Sequence, residues 1–193
     1  LYCANRAGRD FRRVSFSPEE LARLFDAMAR RGLVQGLFLS SGVCGSAGQT
    51  MDRMIAAVEI LRQHYGYSGY VHLKLLPGAS PAHVERAVQL AQRVSVNLEA
   101  PNVERLRRVA PHKDFTRELL APMVLAGRLI AAGRGRLAPA GQTTQFVVGA
   151  AGESDWEILS TAVRLYRELG LRRAYYSAFQ PVPGTPLEDH SPT

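Results

Sequence analysis

The sequence predicts an α/β fold: a partial (β/α)6 TIM-like barrel whose first strand is missing. Short apolar runs alternate with longer amphipathic runs, which is typical of parallel strands joined by helical crossovers. Several of the predicted strands carry polar side chains at every second position. Because a doubly wound sheet is covered on both faces and tends to be apolar throughout, this alternation favours a barrel with a ligand-filled interior.

The predicted strands are the short apolar runs, which cover 34–40, 70–76, 93–98, 143–150 and 173–179. A barrel of six β/α units needs one more strand. We expect that strand upstream of residue 1, because the chain begins at the loop before a helix. The first residues also include neither an initiator Met nor the apolar stretch of a signal peptide. The prediction is a single incomplete domain over 1–193, with a loop at 1–10, units two to six over about 17–180, and a turn-rich tail at 181–193.

The predicted helices follow from capping residues and from apolar residues at helical spacing. Ser17 is a favourable N-cap, Pro18 suits the first helical position, and Gly32 ends the first helix. The other predicted helices cover 51–65, 80–92, 102–130 in two pieces interrupted near Pro111, and 154–169. The stretch 128–140 is rich in Gly and Arg, which indicates a flexible loop.

Composition limits the class of protein. Hydrophobic residues make up 46% and charged residues 21%, which excludes a disordered or fibrous chain, and no apolar run reaches the ~20 residues of a membrane span. Two cysteines, Cys3 and Cys44, cannot make a disulfide framework, so a reducing, cytoplasmic setting is expected. The net charge of +7 permits a nucleic-acid or phosphate-bearing partner.

A family resemblance begins at Tyr2-Cys3, directly after the expected first strand. These residues resemble the end of the radical S-adenosylmethionine (SAM) motif, three cysteines spaced C-x3-C-x-aromatic-C. Further segments resemble one radical SAM family, which is proposed to modify or repair DNA and is linked by genomic association to uracil-DNA glycosylase. These segments are Cys3–Arg6, Leu37–Gly42, His72–Gly78, Ser95–Glu99 and Ala138–Gln145. The resemblance covers essentially the whole chain.

The resemblance implies an enzyme with two cofactors, a [4Fe-4S] cluster and SAM. In this superfamily three thiolates hold the cluster, and its reduction of SAM starts radical chemistry on a substrate. The implied substrate is DNA or a nucleotide, to be modified or repaired. The implied partners are an electron donor such as flavodoxin or ferredoxin and a functionally linked uracil-DNA-glycosylase-like protein, with no membrane involved.

The resemblance also implies roles for the residues at the strand ends. Cys3 is the implied third cluster ligand, with Tyr2 beside the cluster and adenine. Three residues stand where the superfamily often has Gly-Gly-Glu against the SAM amino group, and without a carboxylate they are equally consistent with a plain turn. They are Ser40, Ser41 and Gly42. Val147 and Gly149 stand where adenine packs.

A polar strand face is the second implied part of the SAM site. Ser95, Asn97 and Glu99 share one side of their strand and need partners when buried. SAM ribose hydroxyls and the methionine end fit them, and an internal hydrogen-bond network is the alternative. Glu153 is expected to cap the helix that follows the next strand.

Candidate catalytic residues are Lys74, Gln142 and Tyr176. Lys74 shares an inner strand face with His72, and a buried cation requires a partner. That partner is a SAM carboxylate, a substrate phosphate or Glu99. Further residues are assigned more broadly: Gln145 and Ser177 to the substrate end, and Arg128, Arg134 and Arg136 to a basic loop that either contacts a nucleic-acid backbone or is simply solvated.

Two other functions remain open from the residues alone. The first is a barrel lyase or Schiff-base enzyme that uses Lys74, and the second is a non-catalytic nucleic-acid-binding module. The radical SAM interpretation predicts two further cysteines upstream of residue 1, the nearer one three positions before Cys3. It also predicts that this chain alone is inactive.

Overall fold

The structure is a computed structural model, and it describes residues 1–6, 8, 10 and 12–191. Five parallel strands form one sheet in which spatial order follows chain order. The strands are β1 (Gly36–Leu39), β2 (Tyr70–Lys74), β3 (Arg93–Ser95), β4 (Gln142–Val148) and β5 (Arg173–Ala178). The predicted α/β class is confirmed, and the sheet is compatible with a partial TIM-like fold. Residues 7 and 9 of the predicted N-terminal loop, and 192–193 of the predicted tail, lie outside the described residues.

The helices lie between the strands and begin where the sequence supplies a cap. They are α1 (Pro18–Arg30), α2 (Ala47–Gln63), α3 (Pro81–Leu90), α4 (Val103–Val109), α5 (Ala121–Ala132) and α6 (Asp155–Leu169), with a π-helical segment at Phe115–Leu120. Serine side chains form capping boxes at the starts of four of them: Ser17, Ser46, Ser80 and Ser154. In the part of the chain that the structure describes, no helix is both long and apolar enough to cross a membrane.

Three element boundaries differ from the predictions for local reasons. Strand β3 ends at Ser95 because the Thr144 hydroxyl enters the ladder, accepting from the Leu98 N–H at 3.2 Å and donating to the Val96 carbonyl at 2.7 Å. Helix α2 starts four residues before Met51, since Ser46 rather than the first apolar residue sets the start. The loop predicted at 128–140 is wrong up to Ala132, where α5 ends.

The sheet has one apolar face and one polar face. The strand register aligns Leu39, Leu73 and Val94 on the apolar face, and all three belong to the main hydrophobic core. The opposite side, here called the polar face, comprises Phe38, His72, Lys74, Arg93, Ser95, Thr143, Gln145, Val147, Arg173, Tyr175 and Ser177. The predicted alternation of polar and apolar residues is therefore present across the sheet. Parallel strands also bring their carboxyl ends to one edge, where the loops that follow them meet.

Candidate functional site

Glu99 lies at the carboxyl edge of the sheet and has an unusual backbone conformation. It has a φ of +66°, in the left-handed region that a residue with a Cβ rarely adopts, and it is only 6% exposed. Its N–H donates to the Gln145 carbonyl at 2.9 Å, and its own carbonyl accepts from the Val147 N–H at 2.8 Å. Two backbone hydrogen bonds to β4 thus hold Glu99 in a strained backbone conformation, with its carboxylate buried at the edge of the sheet. Strained residues of this kind concentrate at functional sites.

Two side chains hydrogen-bond the Glu99 carboxylate. The Lys113 ammonium lies 3.2 Å from Oε1 of Glu99. The Tyr2 hydroxyl donates to the same carboxylate, and burial first, then the Glu99 charge and this hydrogen bond, raise the pKa of Tyr2 well above its ordinary value. Lys113 was not among the predicted site residues, although the rarity of lysine was a usable signal: Lys74 and Lys113 are the only lysines in the chain.

Lys74 lies near this group without a bonded partner. Among the described residues, its ammonium forms no hydrogen bond or ion pair. Burial lowers the pKa of Lys74, the Glu99 charge acts in the opposite direction, and Lys113 adds to the lowering. Glu99 therefore acts on Lys74 through its charge, while its direct contacts go to Lys113 and Tyr2.

Cys3 belongs to the same edge. Its charge contributes to the pKa shifts of both Tyr2 and Lys74, which places the thiol within electrostatic range of the Glu99 group. The side chain is exposed, and its sulfur accepts from the Asn5 N–H at 3.4 Å. The structure thus brings Cys3, Tyr2, Lys74 and Glu99 to one end of the sheet.

A row of three polar side chains lies beside Glu99: Asn97, Gln145 and Ser177. The Gln145 amide donates to the Ser177 hydroxyl at 2.8 Å, and the Asn97 amide approaches Gln145 Oε1 at 3.5 Å, a weak contact. Ser95 shares the polar face but is 5% exposed. Asn97 and Gln145 keep unused hydrogen-bonding capacity that a bound ligand could take.

Ser40, Ser41 and Gly42 follow β1 and line a cavity of about 420 Å³. The Ser41 hydroxyl donates to the Gly42 carbonyl at 2.7 Å. The far wall is the segment before α1, which the Arg53 guanidinium holds by donating to the Phe16 carbonyl at 2.8 Å. The turn is therefore part of a concave site at the same end of the sheet.

Val147 and Gly149 stand at the end of β4. Val147 pairs with Ser177 on the polar face, and Gly149 has a φ of +88°, which glycine adopts without strain. The Glu153 carboxylate accepts from the N–H groups of Gly149 and Ala151. The expectation that Glu153 caps the next helix is wrong: Ser154 is the N-cap of α6, and Glu153 braces the loop instead.

The structure does not place Gln142 and Tyr176 with Glu99 and its neighbours Cys3, Tyr2 and Lys74. Gln142 is the first residue of β4, at the opposite end of the strand, and its amide donates to the Leu169 carbonyl at the end of α6 at 2.8 Å. Tyr176 pairs in register with Phe146, and the two rings stack at 6.0 Å. Because neighbouring residues of a strand point to opposite faces, Tyr176 cannot share the face of Ser177.

The chain's own thiols do not fit a [4Fe-4S] cluster. Such a cluster with one open iron needs three protein thiolates, and the sequence contains two cysteines. Both are exposed and free. Within the described ranges, no group of three or more His, Cys, Asp or Glu side chains could hold a metal ion.

Comparisons with known proteins add no family to this picture. None of the protein-family models matches the chain, and the comparison with curated proteins gives no significant match. The geometry at the carboxyl edge is therefore the basis for a functional assignment.

Proposed function

We propose that this chain is the larger part of a radical SAM enzyme that acts on DNA or a nucleotide. On this proposal, residues 1–193 form a single incomplete domain, and the sheet supplies five strands of a (β/α)6 barrel with its ligands on the polar face. The observation that carries the proposal is Glu99, a buried carboxylate at φ +66° beside Tyr2 and near Cys3. The resemblance places the SAM site among these same residues.

The chain's own residues would bind SAM from three sides. Glu99 accepts hydrogen bonds from hydroxyl or ammonium groups, and the amides of Asn97 and Gln145 offer donors and acceptors for the ribose. Ser40, Ser41 and Gly42 line a cavity with room for the polar methionine end. Val147 at the end of β4 is the residue that the resemblance assigns to adenine, and 7% of it is exposed.

The cluster sets a separate requirement. Cys3 supplies one thiolate, and the proposal requires two more from outside these 193 residues. Cys44 does not meet it, because a second thiolate still leaves the count one short. We assign no reaction step to a cluster on this chain alone, and the electron donor and the uracil-DNA-glycosylase-like partner remain implications of the resemblance.

SAM binding without iron tests the proposal on this chain. We expect measurable binding of SAM by equilibrium dialysis, weakened at least tenfold in Glu99→Gln and Asn97→Leu. Glu104→Gln is the matched control, because Glu104 is an exposed glutamate whose partner, Arg108, lies on the surface. Binding that is equal in all variants, or absent from the folded wild-type chain, would contradict the proposal.

A Schiff-base enzyme is the second candidate, and Lys74 is the observation that favours it. Burial lowers the pKa of Lys74, as a nucleophilic amine requires. Borohydride reduction in the presence of a small aldehyde, followed by peptide mass spectrometry, tests this candidate. Preferential labelling of Lys74 over Lys113 supports the Schiff-base enzyme, and equal labelling of the two would contradict it.

A further inference from the structure

Three nitrogen-bearing side chains are neighbours on the polar face, and only one of them, Lys74, is acted on by the Glu99 charge. His72 of β2 is in register with Arg93 of β3, and Lys74 lies two residues along β2 on the same side. Burial first, then the charges of Arg93 and Lys74, lower the pKa of His72 to about 4. The imidazole is therefore neutral near pH 7, and the two cations act on it directly.

This cluster lacks acceptors in the part of the chain that the structure describes. His72 Nε2 and Arg93 Nε are buried without a hydrogen-bond partner. The Lys74 ammonium also has none, and the nearest carboxylate, Glu99, already bonds Lys113 and Tyr2. Because buried donors without acceptors are unfavourable, three adjacent side chains of this kind indicate an acceptor supplied by a ligand.

The ligand's charge follows from the cluster. Lys74 and Arg93 carry two positive charges, and the unpartnered Nε2 of His72 adds a donor in the tautomer that carries its proton there. Phosphate meets this arrangement because it carries up to two negative charges and several acceptor oxygens, which Arg and Lys bind well. Lys74 and Arg93 are both partly exposed, so an anion from solvent can contact their side chains.

An exposed aromatic ring stands beside the cluster. Phe38 of β1 is in register with His72 on the polar face, 59% exposed, with the two ring centres 4.6 Å apart. Nucleobases stack on exposed aromatic side chains. Phe38 and Arg93 stand two strand spacings apart, roughly 10 Å, which the sugar of a nucleotide can bridge.

We propose that the polar face binds a nucleotide, with its phosphate between Lys74 and Arg93 and its base against Phe38. The inference deepens the proposed function, because it rests on a nucleotide substrate, and it assigns that substrate's phosphate and base to named residues. It requires neither iron nor SAM, so its failure and the failure of SAM binding are separate results.

Calorimetric titration of the full chain tests the site with three probes: thymidine monophosphate, thymidine and inorganic phosphate. A pyrimidine nucleotide avoids competition for an adenosyl site. We expect thymidine monophosphate to bind at least tenfold more tightly than either other probe. The double variant Lys74→Met/Arg93→Met should lose at least tenfold, while Phe38→Leu should bind the nucleotide no better than inorganic phosphate.

Arg173→Met is the matched control, since Arg173 is an exposed cation on the same face of the edge strand β5. Its affinity for the nucleotide should not change. Equal affinity for thymidine and thymidine monophosphate, or for the nucleotide and inorganic phosphate, would overturn the proposal. So would an unaffected Lys74→Met/Arg93→Met variant.

A measurement on the unmodified chain covers the case in which the double variant fails to fold. Bound phosphate stabilises the protonated imidazole, so saturating thymidine monophosphate should raise the pKa of His72 measured by NMR. The same titration of His64, a residue at the end of α2 on the other side of the sheet, is the internal reference. An unchanged His72 pKa at saturation would overturn the proposal.

Discussion

The ammonium of Lys113 lies 3.2 Å from the carboxylate of Glu99, a residue held at a φ of +66° and 6% exposed. Lys113 comes from the loop between α4 and the π-helical segment, and Glu99 follows β3. The contact therefore ties a loop to the strained point of the sheet edge. It also partly neutralises a carboxylate that burial alone would disfavour.

Loss of Lys113 should destabilise the fold more than loss of a surface cation. Lys113→Met leaves Glu99 buried with Tyr2 as its hydrogen-bond donor, and we expect a loss of about 1–3 kcal/mol in the free energy of unfolding. Arg117→Met removes a cation that is 88% exposed and lies 4.0 Å from Asp114, and it should cost about 0.5 kcal/mol or less. Urea unfolding of both variants makes the comparison, and equal losses would show that the Glu99 pair is not a buried ion pair in energetic terms.

The backbone of Glu99 can be tested separately from its carboxylate. Glu99→Ala and Glu99→Gly both remove the side-chain contacts, but only glycine adopts φ +66° without strain. We expect the Gly variant to be more stable than the Ala variant by about 1 kcal/mol. Thermal and urea unfolding measure the difference, and an Ala variant as stable as the Gly variant would contradict a strained backbone.

His72 should make stability depend on pH. Its pKa in the folded chain is about 4, below the ordinary value near 6.5, so the unfolded chain binds more protons between these pH values. The stabilisation is complete above pH 6.5 and is lost as pH falls toward 4, by about 1–3 kcal/mol. The non-titrating variant His72→Gln should show a smaller loss between pH 7 and 4.5, and an identical pH slope in both chains would refute the assignment.

The chain alone should not assemble a four-iron cluster. Anaerobic reconstitution with iron and sulfide should yield no stable [4Fe-4S] cluster and no 5′-deoxyadenosine from SAM, because the sequence has two cysteines and the cluster needs three thiolates. Iron counting and chromatography of the products make the test. Cys3→Ala and Cys44→Ala serve as controls for adventitious iron. A SAM-cleaving cluster on this chain would remove the requirement for further thiols.

Features that depend on local spacing were predictable. Ser17, Ser80 and Ser154 start helices within a residue or two of the predicted positions, because a cap needs only its own next three residues. The same holds for the five strands and for the alternation that places His72 and Lys74 on one face. The candidate ligand-binding surface could therefore be located along the strands in advance.

Errors arose where the outcome depends on a neighbouring strand or helix. Gln142 is a polar residue of β4 like Gln145, but it is the first residue of the strand. Its register with Val94 and its hydrogen bond to the Leu169 carbonyl place it on the covered face. Tyr176 lies on the face opposite to Ser177, where it pairs with Phe146. Neither contact can be read from spacing within a single strand.

The sequence by itself determined the elements, their order and the polar face, since these follow from caps and periodicity over a few residues. Tertiary structure alone decided how the face is used. The left-handed turn at Glu99 exists because β4 bonds its backbone on both sides, and Lys113 reaches it across fourteen residues. Likewise, the unsatisfied donors of His72 and Arg93 exist only because two strands bring them side by side and bury them. Local preferences are set by nearest neighbours, whereas burial, strain and missing partners are properties of the packed sheet.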